Sequence, residues 1–152
     1  MSYATVTKTN CTYQPRTNIV TLIENNITTL KVYSTFPNLK KIGFQGFPFI
    51  VIPDVGMENE GYLGDRAYNF TNEVEGTIYH DRDKLGDNQL RNARQTMTEI
   101  FTSRTNQKTL RGYRMDNLSI EFDQSPQDPV IEHEKEILPV GFTISFNLDL
   151  VM

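Results

Sequence analysis

Apolar and polar positions follow two different periods along this chain, and the changes of period divide it into elements. After Pro15, the apolar residues Ile19, Leu22, Ile23, Ile27 and Leu30 fall on one stripe at helical spacing, with Thr17 or Asn18 placed to cap a first helix. Asn25, Asn26, Thr28 and Thr29 are poor helix formers, so docking of the stripe must hold that helix more than propensity does. Lys31 to Phe36 is β-branched and aromatic and ends at Pro37, which predicts a short strand. Phe49 to Ile52, bounded by Pro48 and Pro53, contains no polar residue. A strand covered on both faces at the centre of a sheet is expected there.

A period of two returns at Phe70, with Phe70, Val74 and Ile78 on one face and Thr71, Glu73, Glu75, Thr77 and Tyr79 on the other. A second helix follows, capped by Asp83 or Asp87, in which Leu90, Ala93, Met97, Ile100 and Phe101 share a face. Leu118, Ile120 and Phe122 alternate with Asn117, Ser119, Glu121 and Asp123. Phe142, Ile144, Phe146, Leu148 and Leu150 then alternate with Thr143, Ser145, Asn147 and Asp149, so two closing strands are predicted.

Three segments carry no sustained period. The opening through Arg16 reads as an arm or an edge strand. Asp54 to Tyr68 holds Gly56, Gly61 and Gly64 among acidic residues and reads as a long exposed loop or a loose hairpin. Ser125 to Pro139 holds three prolines with Glu132, Glu134 and Glu136, and reads as a long projecting connection. The expected architecture is one α+β domain spanning residues 1–152: a mostly antiparallel sheet of four to five strands packed with two helices, with long loops near 54–68 and 125–139. A chain of 152 residues suits one such domain and can bury a core without staples.

Composition narrows the chemistry. Hydrophobic residues make up 38% and charged residues 22%, and the longest apolar run, Phe47 to Ile52, is far short of the roughly 20 residues that span a bilayer, so no membrane partner is expected. The first residues lack the cationic start and apolar stretch of a signal peptide. One cysteine, Cys11, and two distant histidines exclude an intramolecular disulfide and a Cys/His zinc site.

Other motifs fail on their decisive positions. Gly56 and Gly61 have P-loop spacing, but Tyr62 and Leu63 stand where Lys and Ser/Thr must reach phosphate and magnesium. Asp81, Asp83 and Gly86 fit part of a calcium loop, yet Leu85 and Asn92 replace two of its ligands. His80-Asp81 has no further histidine nearby to complete a metal site, and His133 sits in an acidic stretch. There is no Gly-x-Ser-x-Gly elbow, and the Asn-x-Ser/Thr triplets, such as Asn69-Phe-Thr71, arise readily in an Asn- and Thr-rich chain. No catalytic residue, metal ligand or cofactor is expected.

Charge is the informative feature. The net charge is -4, which gives no bulk attraction to nucleic acid, but the sign alternates in blocks: +4 over residues 1–53, -6 over 54–83, +5 over 84–114, -6 over 115–136 and -1 over the rest. A positive face including Arg104, Lys108, Arg111 and Arg114 that meets a negative face on a neighbouring copy would favour head-to-tail closure into a ring. The same basic run, with Tyr113 inside it, also suits phosphate contact in a small nucleic-acid-binding module.

The order and spacing of elements resemble the tail terminator proteins of long-tailed bacteriophages, the minor tail protein U type. The resemblance covers most of the chain. It is carried by the amphipathic first helix, the Phe47-Pro48-Phe49-Ile50-Val51-Ile52 strand, the Glu73-Val74-Glu75-Gly76-Thr77-Ile78-Tyr79 strand leading into the second helix, and the final strand ending at Val151-Met152. It implies a homohexameric ring, without catalysis, that caps the tail tube, stops its polymerisation and joins the tail to the head connector. The implied partners are further copies of the chain, the tail tube protein and a head-completion or connector protein, with genomic DNA passing through the lumen without specific binding. The implied place is the head–tail junction of the virion, after assembly in the host cytoplasm. Neighbouring neck and tail components, namely tail completion, head–tail connector and tail tube proteins, share these element patterns. Glu58, Glu60 and Tyr62 in the first long loop, and Glu132, Glu134 and Glu136 in the second, are expected to contact partners.

Overall fold

In the computed structural model, residues 2–7, 9–27, 31–37, 48–53, 68–81, 86–123, 130–132 and 135–150 are described. The first helix, α1, spans Gln14–Asn26 and starts three residues before Thr17, the earlier of the two expected caps. Pro15 sits in its first turn, where a missing N–H removes no helical bond, and the capping residue Tyr13 contributes no side-chain bond. Thr17 and Asn18 therefore lie inside the helix rather than at its start. The helix stops at Asn26, whose Nδ2 donates to the Leu22 carbonyl at 2.8 Å, and Ile27 is already extended. Ile19, Leu22, Ile23 and Ile27 are all buried, as the stripe requires. Leu30 lies outside the described residues.

Strands β1 (Val32–Tyr33), β2 (Phe49–Val51) and β3 (Tyr68–Asp81) precede helices α2 (Gly86–Thr102) and α3 (Arg104–Arg111), and β4 (Met115–Phe122), β5 (Val130–Glu132) and β6 (Lys135–Leu150) complete the chain. The sheet runs β1-β2-β3-β6-β4, with β5 also paired to β6. Among the described strands, β1 and β2 pair in parallel and the other pairings are antiparallel. The fold is α+β with a mostly antiparallel sheet.

Four expectations need correction. First, β2 is second from the sheet edge rather than at its centre. Its unbroken apolar run reports two covered faces, not rank in the sheet: Ile50 and Ile52 join the main core, while Phe49 packs on the other face against Tyr33, Phe36 and Tyr79 at centroid distances of 5.3–5.7 Å. Second, the described residues form three helices, not two. Ser103 interrupts the helical run and caps α3 by accepting the Asn106 N–H at 3.4 Å, and α3 buries only Leu110, so it shows no apolar stripe. Asp87, offered as a cap, lies within the first turn of α2, and Asp83 lies outside the described residues.

Third, Ser125 to Pro139 is not a projecting loop throughout. Residues 130–132 pair with 135–137 of β6, leaving only positions 133 and 134 between the strands, and Ile137 is fully buried. Pro139 lies within β6 opposite Tyr79. Gly141 O accepts from Asp123 N, so by the two-residue repeat the Pro139 nitrogen points to that same edge of β6. It falls in the gap between the β5 and β4 pairings, where no ladder bond is lost. Fourth, the opening is an irregular arm over residues 2–7, and Gln14, Pro15 and Arg16 are helical.

The three long strands place even-numbered residues of β3 and β6 on the helix-covered face, including Val74, Ile78, Phe142, Ile144, Phe146 and Leu148. Gly76 permits a close contact there: a Cβ at that position would lie 2.5 Å from Phe142 Cζ. One buried amide clamps the start of the arm. Asn18 Oδ1 accepts from Ala4 N at 3.1 Å and from Gln14 Nε2 at 2.9 Å, and its Nδ2 donates to Ala4 O at 2.8 Å. Val6 N donates to Tyr113 O, and Tyr3 stacks on Tyr113.

Candidate interaction surface

The basic residues nominated from sequence separate into two environments. Arg104, Lys108 and Arg111 lie on the exposed side of α3, at positions i, i+4 and i+7, while Leu110 is buried. Lys108 and Arg111 occupy the last turn, where the helix carbonyl end favours positive charge. No acidic residue occurs in α3. Arg111 Nε meets Asp116 Oδ1 at 3.1 Å, whereas Arg104 and Lys108 have no ion-pair partner among the described residues. Arg114 is not on this face: it is half-buried in the turn between α3 and β4, at φ 73°.

Gln107 fixes α3 against the sheet edge. Between Asp116 and Ser119, β4 gains one residue relative to β6, and Asn117 takes a φ of 53°. Leu118 at this bulge turns its backbone away from β6 and pairs with the Gln107 amide: N to Oε1 at 3.1 Å, and O from Nε2 at 2.7 Å. The same Nε2 also donates to Phe101 O. An edge amide that would otherwise be open to another strand is thus occupied by a side chain. The bulge also explains how Met115 and Leu118, an odd distance apart, are both in the core.

The other surface is the face of β3, β6 and β4 turned away from the helices. Its residues follow from register. Glu75, Thr143 and Glu121 form one cross-strand row, and Glu73, Ser145 and Ser119 the next. Glu73, Glu75 and Glu121 are exposed, and Thr143 and Ser145 are half-buried. No described helix lies on this area, and none of the described positions from Thr71 to Thr77, Ser119 to Asp123 or Gly141 to Asn147 on it is Lys or Arg. The sequence placed Glu73 and Glu75 opposite the apolar face of their own strand, and did the same for Glu121. It gave no register, and register is what brings the three carboxylates together.

Of the acidic residues expected in loops, Glu58, Glu60, Tyr62 and Glu134 lie outside the described residues. Glu132 and Glu136 belong to paired strands β5 and β6, not to a free connection. His80 is buried on the helix-facing side of β3, near the end of the strand. Among the described residues, no group of three or more His, Cys, Asp or Glu side chains is arranged to hold a metal ion. No described helix is long and apolar enough to cross a membrane. The chain matches no protein-family model, and no curated protein matches it.

Proposed function

We propose that this chain is a structural ring protein of the neck of a long-tailed bacteriophage. In this reading six copies close head to tail, cap the tail tube, stop its growth and join it to the head connector, while DNA passes through the lumen without specific binding. The protein then acts at the head–tail junction of the virion, after assembly in the host cytoplasm, and without catalysis. The observation that supports the reading best is the acidic outer face of the β3–β6–β4 sheet, on which no described helix lies, with the exposed Arg104 and Lys108 of α3 at the β4 edge. Two surfaces of opposite charge on different sides of one chain favour a heterologous contact, which leaves one patch of each kind unused per pair and closes into a ring when the rotation between copies is a sixth of a turn. The same pattern of elements carries the resemblance to tail terminators. Negative-stain electron microscopy of the purified protein at tens of micromolar tests this proposal. Six-fold rings with an open centre are the expected result, and isolated particles the size of one chain are the contrary one.

A further inference from the structure

The geometry points to a specific contact within that ring: the Arg104 and Lys108 side of α3 in one copy docks on Glu73 and Glu75 of the next. This inference rests on the ring reading and names the two surfaces that make the ring. The dimensions match. One helical turn separates Arg104 from Lys108, about 6 Å along the axis. Two residues on one face of a strand separate Glu73 from Glu75, about 7 Å. Arg104 and Lys108 thus match Glu73 and Glu75 in spacing, while Arg111 is held by Asp116 of its own chain. The hydroxyls of Thr143 and Ser145 lie beside Glu75 and Glu73 on the next strand as further polar partners.

Backbone pairing at the nearest β4 edge is disfavoured as the alternative, because Gln107 already occupies the Leu118 backbone. The contact therefore runs through side chains and weakens with salt.

Two charge-reversed chains test the assignment. One carries Arg104→Glu and Lys108→Glu, the other Glu73→Lys and Glu75→Lys. All four side chains are exposed, and thermal melts check that each variant keeps the wild-type transition. Native mass spectrometry at low salt should show each variant alone falling from about 105 kDa to the single-chain 17.5 kDa. Mixed together, the two chains regain both kinds of contact in alternation, so a hexamer of three copies each should reappear. A chain with all four reversals should also assemble by itself.

If both variants keep the wild-type hexamer, the surface assignment is overturned while the ring stands. Folded variants that separate and do not reassemble on mixing overturn it equally. An unchanged hexamer in which the α3 variant loses salt-sensitive binding to duplex DNA overturns it and assigns α3 to phosphate contact. A wild-type chain that is monomeric throughout overturns the ring reading and this contact with it.

Discussion

Replacing Gly76 by Ala should destabilise this protein, although the same exchange usually stabilises a strand. Gly76 shows no left-handed backbone, so Ala fits its conformation and on its own gains about 0.5–1 kcal/mol by restricting the unfolded chain. Against this, the new Cβ would lie 2.5 Å from Cζ and 2.9 Å from Cε2 of Phe142, and 3.0 Å from Ile52 Cγ1. Phe142 is 1% exposed, opposes both Gly76 and Phe122, and has little room to move. Overpacking of this kind costs about 1–3 kcal/mol, so a net loss of about 0.5–2 kcal/mol is expected. Phe142→Leu removes both clashing ring atoms. In that background Gly76→Ala should be neutral or stabilising, a change of sign that no general effect of Ala on strands produces. Urea unfolding at 25 °C and one fixed protein concentration measures all four chains of the cycle. If Gly76→Ala has the same effect in both backgrounds, the steric account of this strand pair is wrong.

Two further exchanges probe buried amides with opposite expectations. Asn18→Ala removes four hydrogen bonds, two of which hold the Ala4 backbone and one of which is a weak bond to Met115 Sδ at 3.6 Å, and should lower stability by about 2–4 kcal/mol in urea titrations. Deleting residues 2–6 from that variant should cost further stability, because Val6 is fully buried in the core and Tyr3 stacks on Tyr113. Asn72 is 4% exposed, and neither its Oδ1 nor its Nδ2 has a hydrogen-bond partner among the described residues. Asn72→Val should therefore raise stability by about 1–2 kcal/mol, and a lower urea midpoint would contradict that reading.

The parts of the fold that were legible in the sequence are those in which one chemical pattern maps to one structure. The stripe Ile19, Leu22, Ile23 and Ile27 is a buried helix face, and the alternation from Phe142 to Leu148 is a half-covered strand. Helix α3 was hidden because its contacts with the sheet are mainly polar: Gln107 and a single leucine, Leu110, do what an apolar stripe usually does. The β5–β6 hairpin was hidden by its prolines, since Pro139 escapes the usual penalty only through a gap between two pairings that no local pattern reveals. Boundaries at α1 shifted because Asn18, a natural cap, is used to hold the arm.

Candidate surfaces followed the same rule. Arg104, Lys108 and Arg111 were visible as a basic run, and the helical period groups them on one side. Arg114, next in the run, is removed from it by a turn with positive φ. The acidic patch was half visible, because each strand showed its own polar face, while the pairing of Glu75 with Thr143 and of Thr143 with Glu121 is a long-range property. The correction at β5 also changes how the second acidic segment can be tested. Deleting residues 127–137 would remove a strand and the buried Ile137, so loss of assembly by that variant would report on folding as much as on attachment.

The central claim is that copies of this chain associate head to tail into a closed ring, and the native mass of the purified protein over a concentration series tests it most directly. Mass photometry and native mass spectrometry at low salt should find a discrete species of about 105 kDa, six times the 17.5 kDa chain, that dissociates as salt rises. A single species of 17.5 kDa at every concentration and salt would contradict the claim.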